Sequence, residues 1–268
     1  MTRIGALIVL TAVLGALFGP AIVPFNPADQ ELPLRLEGPT GLHWMGLDEL
    51  GRDIFARVLS GARISLLVGL VVVGVSSTTG IVLGSIAGYF GGRIDEAISR
   101  VMDILLAFPG LLLAIAMVAV LGPSLTNVIL ALSLIGWVGY ARLVRGQVLR
   151  AREFEYVQAA RALGAATPRI LARHIVPTAL PAVTVQATLG MGGAILAEAS
   201  LSFLGLGVQP PTPSWGTMLS YGKAHLLEAP HLTIFPGLAI AILVLGFNFL
   251  GDGLRDALDP ATNREGGR

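Results

Sequence analysis

The chain has 268 residues, of which 54% are apolar and 13% charged, with a formal net charge of +1 and no cysteine. Soluble domains carry about 25% charged residues, so this composition, with its mean hydropathy of +0.76, belongs to an integral membrane protein. The lack of cysteine excludes disulfides and thiolate metal sites, and arginines scattered between apolar runs leave no continuous basic face for a nucleic acid.

A membrane crossing needs roughly 20 apolar residues. Six stretches qualify: residues 4–23, 64–89, 104–121, 125–144, 181–204 and 232–250. The predicted fold is therefore all-α, with six transmembrane helices. The first stretch follows Arg3, but it is long and no small-residue cleavage pattern closes it, so it reads as an uncleaved anchor. Residues 1–63 then form an anchor span with an outer segment, 64–254 the membrane core, and 255–268 a polar tail.

Arginine placement sets the orientation. With the N-terminus inside, the inner loops hold Arg3, Arg93, Arg100, Arg142, Arg145, Arg150, Arg152, Arg161, Arg169, Arg173, Arg255, Arg264 and Arg268. The outer loops hold Arg35, Arg52, Arg57, Arg63 and Lys223. The positive-inside bias places both termini on the cytoplasmic side.

The outer segment contains His43, Trp44, Asp48, Glu49, Gly51, Arg52 and Asp53. Trp44 suits the membrane–water boundary, and Asp48, Arg52 and Asp53 are close enough in sequence to pair. The stretch reads either as a short surface loop anchoring the second span or as a lip meeting a soluble partner, with Asp48, Gly51, Arg52 and Asp53 facing it. In the second span Gly80, Gly84 and Gly88 recur every fourth residue and share one helix face. Such a face lets two helix backbones approach closely in lipid, within the chain or across a dimer seam. Beyond Gly91-Gly92, residues 93–107 read as an amphipathic segment at the inner surface, and Pro109-Gly110 breaks or kinks the entry to the third span. The fourth span ends in Trp137, Tyr140, Arg142 and Arg145, aromatics and then arginines as at an inner boundary.

Residues 150–181 are the longest charged island between apolar runs. A helix over about 153–163 is rich in Ala and Arg, good helix formers. Gly164 closes it in the left-handed conformation, Thr167 and Pro168 open a second helix, and Pro177 ends that helix by removing a donor. The result is a helix-turn-helix knuckle held between spans four and five on the cytoplasmic side.

The fifth span carries Glu198, the only ionisable residue well inside any predicted span. An acid at that depth points to function by default, facing a cavity or pathway; the other reading is a carboxyl satisfied by Ser200 or Ser202. Missing features narrow the function. No G-x-x-x-x-G-K-[ST] phosphate loop occurs, so the chain has no ordinary nucleotide site, and no H-E-x-x-H helix occurs either. Without a G-x-S-x-G sequence or a histidine in any span, an intramembrane hydrolase is disfavoured. No catalytic or metal site is expected.

The knuckle resembles the cytoplasmic coupling loop of permease subunits of binding-protein-dependent ABC importers. Ala159, Ala160 and Gly164 stand in register with that family's Glu-Ala-Ala…Gly pattern, Pro177 follows, and Gln158 replaces the usual Glu. The outer stretch from His43 to Asp53 resembles the H-W-L-G-T-D-x-x-G-R-D signature of the dipeptide/oligopeptide/nickel group, with Met45 and Leu47 departing from it. Glu198 to Gly207 with Pro210 to Gly216, and Gly251 to Pro260, resemble two further signatures of the same group's "C-type" subunit.

The resemblance implies half of a translocation pathway for small peptides, a second permease subunit, two ATPase subunits that bind ATP and magnesium, and an extracytoplasmic solute-binding protein. The chain itself would bind no cofactor and have no enzymatic activity, and would reside in a bacterial-type plasma membrane surrounded by lipid. Contact with the ATPase is expected from Glu155, Gln158, Ala159, Ala160, Arg161, Gly164, Ala165, Pro168 and Pro177, and pathway contact from Glu198. Competing readings are a proton-coupled secondary transporter using Glu198, the same class of importer carrying nickel or another small solute, and a structural membrane scaffold.

Overall fold

The computed structural model describes residues 1–258; Arg264, Arg268 and most of the predicted tail lie outside the described residues. The helices are α1 (Thr2–Ile22), α2 (Ile54–Phe90), α3 (Gly92–Leu106), α4 (Gly110–Leu121), α5 (Leu125–Ala151), α6 (Glu155–Ala162), α7 (Thr167–Ile170), α8 (Val176–Phe203), α9 (Trp215–Gly222) and α10 (His231–Leu258). Among the described residues the only β pairing is an isolated bridge between Leu47 and Asp53, in accord with the all-α expectation. Five helical stretches are long and apolar enough to cross a membrane, and α3 with α4, bent by 84°, makes a sixth if the pair counts as one.

Three boundaries differ from those predicted. Residues 104–121 are not one helix. Pro109 caps a separate α4 of 12 residues, about 18 Å long at 1.5 Å per residue, which falls short of a hydrocarbon core of roughly 30 Å. Proline disfavours helical geometry in the residue before it, so the chain turns at Phe108. The second span begins at Ile54 rather than near residue 64, because Asp53 caps α2 by accepting from the Ala56 amide at 2.7 Å. Pro177 does not end a helix. It lies in the first turn of α8, where a missing amide hydrogen costs little, and a π-helical turn over Leu171–Ile175 joins it to α7. That wider turn relaxes the contact between a proline ring and the carbonyl four residues before it. Helix therefore continues from Thr167 to Phe203, 37 residues.

The centre of the molecule is the α2–α5 pair, with α8 against both and α10 and α1 alongside. The glycines of α2 meet α5 within the chain. A methyl group on Gly80 would overlap Tyr140, one on Gly84 would stand 2.5 Å from the Ala141 carbonyl, and one on Gly88 would stand 2.9 Å from the Arg145 carbonyl. Small residues here let two backbones touch, the main source of helix association in lipid. Valines from both helices, Val68, Val72, Val144 and Val148, fill the adjoining core. Trp137 and Tyr140, expected at the inner boundary, are buried against neighbouring helices.

The outer segment is held by buried charges rather than lying loose on the surface. Asp48 accepts from Arg52 Nε at 2.7 Å and pairs with Arg57 Nε at 3.3 Å. Arg52 also reaches Glu49 at 3.0 Å, and Arg57 donates to the Pro27 carbonyl at 3.0 Å. His43 Nδ1 lies 2.9 Å from Asp53 Oδ2. Desolvated charges persist only when paired, which is why the buried Asp48, Arg52, Asp53 and Arg57 fit under one loop.

Two stability measurements test this packing. Gly84→Val is expected to destabilise the chain by about 1–3 kcal/mol through overpacking, while Gly74→Ala, a position with nothing within 4 Å, leaves it unchanged or slightly more stable. Thermal unfolding of the detergent-purified protein checks both, and equal behaviour of the two variants would refute the seam. Asp48→Ala strands two buried guanidinium groups and is expected to cost about 3–5 kcal/mol, read as a fall in unfolding temperature; a change within error would refute the cluster.

Candidate functional site

The knuckle carries most of the predicted site residues. α6 is anchored on one side: Val157 is buried with Ile170, Ile175 and Ala151 in the cluster that also contains the α2 and α5 valines. Arg152, at the end of α5, donates to the Gly88 carbonyl at 3.0 Å. Arg161 lies 5.4 Å from the Tyr89 ring centre, a cation–π contact that ties the knuckle to the end of α2.

The other side faces outward. Glu155, Gln158, Ala159, Arg161, Gly164, Pro168 and Pro177 are exposed, and Ala160 and Ala165 are half-buried. Gly164 has φ +80°, the left-handed conformation expected of it, and the Ala165 amide closes the turn on the Ala160 carbonyl at 3.1 Å. Thr167 is not the cap; Ala166 precedes α7 with no side-chain bond. Leu163, absent from the expected set, is 89% exposed at the tip of the turn. Its signal in the sequence was a bare leucine between Ala162 and Gly164, on the polar side of an otherwise amphipathic helix.

On the same side as the knuckle α3 is strapped to α5. Arg145 Nη2 donates to Asp95 at 2.6 Å and Arg142 Nη2 to Asp103 at 2.7 Å. The helix that precedes the bent entry to α4 and the helix that feeds the knuckle therefore form one unit.

Glu198 is 0% exposed and accepts from Ser202 Oγ at 2.6 Å. Ser202 Oγ also accepts from the Val208 amide at 3.3 Å. A methyl group on Gly207 would strike Ser202, and one on Gly216 would strike the Ala199 carbonyl. The carboxyl thus fastens the end of α8 to the loop that leads into α9, where Ser214 forms a capping box with Thr217 and Trp215 Nε1 donates to the Val58 carbonyl at 2.8 Å. Of the two readings open for Glu198, the Ser202 bond to Oε1 fits the satisfied carboxyl, whereas Oε2 is buried without a hydrogen-bond partner among the described residues, so both stay open.

The four residues expected to face an outer partner, Asp48, Gly51, Arg52 and Asp53, are all buried. They set the shape of a surface formed by neighbours such as Leu42 and Trp44. Among the described residues no group of three or more histidines, aspartates or glutamates is placed to hold a metal ion.

A cleft of about 300 Å3 opens between α2, α5 and α8. Ser76, Tyr140 and Gln186 contribute its hydrogen-bonding side chains among small and aliphatic neighbours. A reading guided by ionisable groups misses Ser76 and Gln186 and takes Tyr140 only as a boundary aromatic.

Comparison with known proteins agrees with this architecture. Residues 80–264 match the family described as "Binding-protein-dependent transport system inner membrane component". The dipeptide transport system permease protein DppC of Alkalihalophilus pseudofirmus is 49% identical over 257 residues, 96% of this chain and 84% of that protein. The glutathione transport system permease protein GsiD of Pectobacterium atrosepticum is 47% identical over 255 residues, 95% of this chain and 85% of that protein. Among solved structures, an inward-facing conformation of the MetNI methionine ABC transporter superposes with a TM-score of 0.55 at 20% identity, covering 75% of this chain and 96% of that one, a likeness of fold. With an all-helical membrane core, a match over more than half its length and relatives at nearly half identity, the chain belongs to the family of inner membrane permease components of binding-protein-dependent ABC transporters.

Proposed function

We propose that this chain forms half of the pathway of an ATP-driven importer for small peptides, and that its knuckle receives the movement of separate ATPase subunits. The peptide assignment rests on the most similar relatives, whose names specify dipeptide and glutathione transport. Its partners are a second permease, two ATPase subunits carrying ATP and magnesium, and an extracytoplasmic solute-binding protein. Both termini and the knuckle face the cytoplasm, in keeping with the arginine bias.

The observation that carries the reading is mechanical. The backbone runs from α5 through α6 into helix that continues to Phe203. A force on α7 reaches the membrane core through continuous helix, and α6 joins that helix through the short turn at Gly164. Leu163, Glu155, Gln158 and Ala159 are exposed on the side away from the buried Val157. An apolar tip with mixed charges around it suits a groove on a soluble subunit, since exposed apolar side chains flanked by polar ones mark contact surfaces. On the outer face, Leu42 and Trp44 are the exposed apolar groups of the segment stiffened by Asp48, Arg52 and Asp53, and this segment meets the solute-binding protein.

Gly164→Val is expected to uncouple the assembly. A β-branched residue at φ +80° is strained by about 1–3 kcal/mol, although the space around Gly164 is open and insertion is unaffected. Peptide uptake by the reconstituted complex should fall about tenfold or more, while the amount of inserted chain stays the same. Leu163→Asp is expected to weaken co-purification of the ATPase subunits. Unchanged uptake and unchanged co-purification in both variants would refute the coupling role.

A further inference from the structure

Gln186 is exposed on α8, about 15 Å along the helix from Val176. Among the described residues its backbone carbonyl is used, accepting from Tyr140 Oη at 3.5 Å, while its carboxamide has no partner. An amide without hydrogen bonds costs several kcal/mol in hydrocarbon. That face of α8 is therefore turned toward polar matter and away from lipid.

The cleft beside it is lined mainly by aliphatic groups of α2, α4, α5 and α8, with the Ser76 and Tyr140 hydroxyls in its wall. A methyl group on Gly190 of α8 would come within 2.5 Å of Tyr140 Oη, and one on Gly136 of α5 within 2.5 Å of Ser76 Oγ. Two glycines thus leave room for two hydroxyls. No acid, base or histidine lines the cleft. A bare metal cation would find no carboxylate or imidazole there, and a charged side chain would find no counter-charge. What the lining offers is neutral donors and acceptors at about 300 Å3, the lower end of the size range for small-molecule sites.

We propose that this cleft is the stretch of the pathway that touches the substrate, and that Ser76, Tyr140 and Gln186 read the amide backbone of a short peptide, leaving the charge of its side chains unread. The inference rests on the importer reading above and assigns its specificity to named residues. Tyr140 is also placed to report on coupling, because its Cβ lies against Gly80 of α2 and its hydroxyl against Gly190 of α8. A shift of either helix changes the opening beside the ring.

The test uses the whole importer, this chain with its second permease, both ATPases and the solute-binding protein, in ATP-loaded vesicles. Uptake is measured for three dipeptides: neutral, lysine-containing and glutamate-containing. Tyr140→Phe and Gln186→Leu each remove one neutral hydrogen bond and are expected to slow uptake about fivefold, alike for all three peptides. Because the chain has no cysteine, Gln186→Cys provides a second readout: a membrane-impermeant maleimide should label this position, more slowly when transported dipeptide is present. Unchanged uptake, an effect confined to one charged peptide, or an unreactive Gln186→Cys would overturn the assignment. Loss of the second permease from the purified variants would overturn it too, by showing that this face is the subunit contact. No uptake of any dipeptide by the unaltered, ATP-hydrolysing importer would instead sink the peptide reading itself.

Discussion

The close approach of α2 and α5 along Gly80, Gly84 and Gly88 governs the rest of the structure. In lipid there is little hydrophobic gain from pushing two apolar helices together, so contact has to come from surfaces that fit. Three glycines at one-turn spacing provide that fit, and the consequences run in both directions along the helices. Toward the C-terminal end of α2, the seam brings Arg152 onto the Gly88 carbonyl and Tyr89 beneath Arg161, which fixes where the knuckle hangs. Toward the membrane interior, it turns Tyr140 against α8 and shapes the cleft.

A second constraint acts at the opposite end of α2. The segment before α2 is irregular backbone beside a membrane, and it is stabilised by charges that satisfy one another instead of by an apolar core. Arg57, inside the first turn of α2, is tolerated because Asp48 and the Pro27 carbonyl meet it. Glu198 does similar work at the end of α8, where one carboxyl and one serine hold a loop against the helix. Both are polar groups that a membrane protein retains because breaking the pair leaves a charge or a donor with nothing to bond.

Much of this was legible in the sequence, and the failures share causes. Gly164 was readable because a left-handed turn has few occupants, and the Gly80–Gly84–Gly88 face because spacing defines a helix side. Which helix the face met was not readable, since periodicity carries no partner identity. The early start of α2 was hidden because Arg57 looks like a boundary until its counter-ions are known. Pro177 looked like a terminator because the rule against helical proline is local, and the π turn that accommodates it is not encoded in any single residue. Glu198 attracted attention by its charge, yet the neutral Ser76, Tyr140 and Gln186 are the side chains that line open space. Charge is easy to see in a sequence, whereas shape arises only once three helices are assembled.

The central claim is that the knuckle and α8 move as one piece, so that force applied below the membrane arrives beside the cleft undiminished. Spin labels at the exposed positions Arg169 and Leu196 would span about 40 Å of continuous helix, within range of pulsed electron resonance in the assembled importer. One narrow distance is expected, the same without nucleotide and with trapped ATP. A shift of several ångströms, or a second population on ATP binding, would place a hinge at Leu171–Ile175 and contradict it.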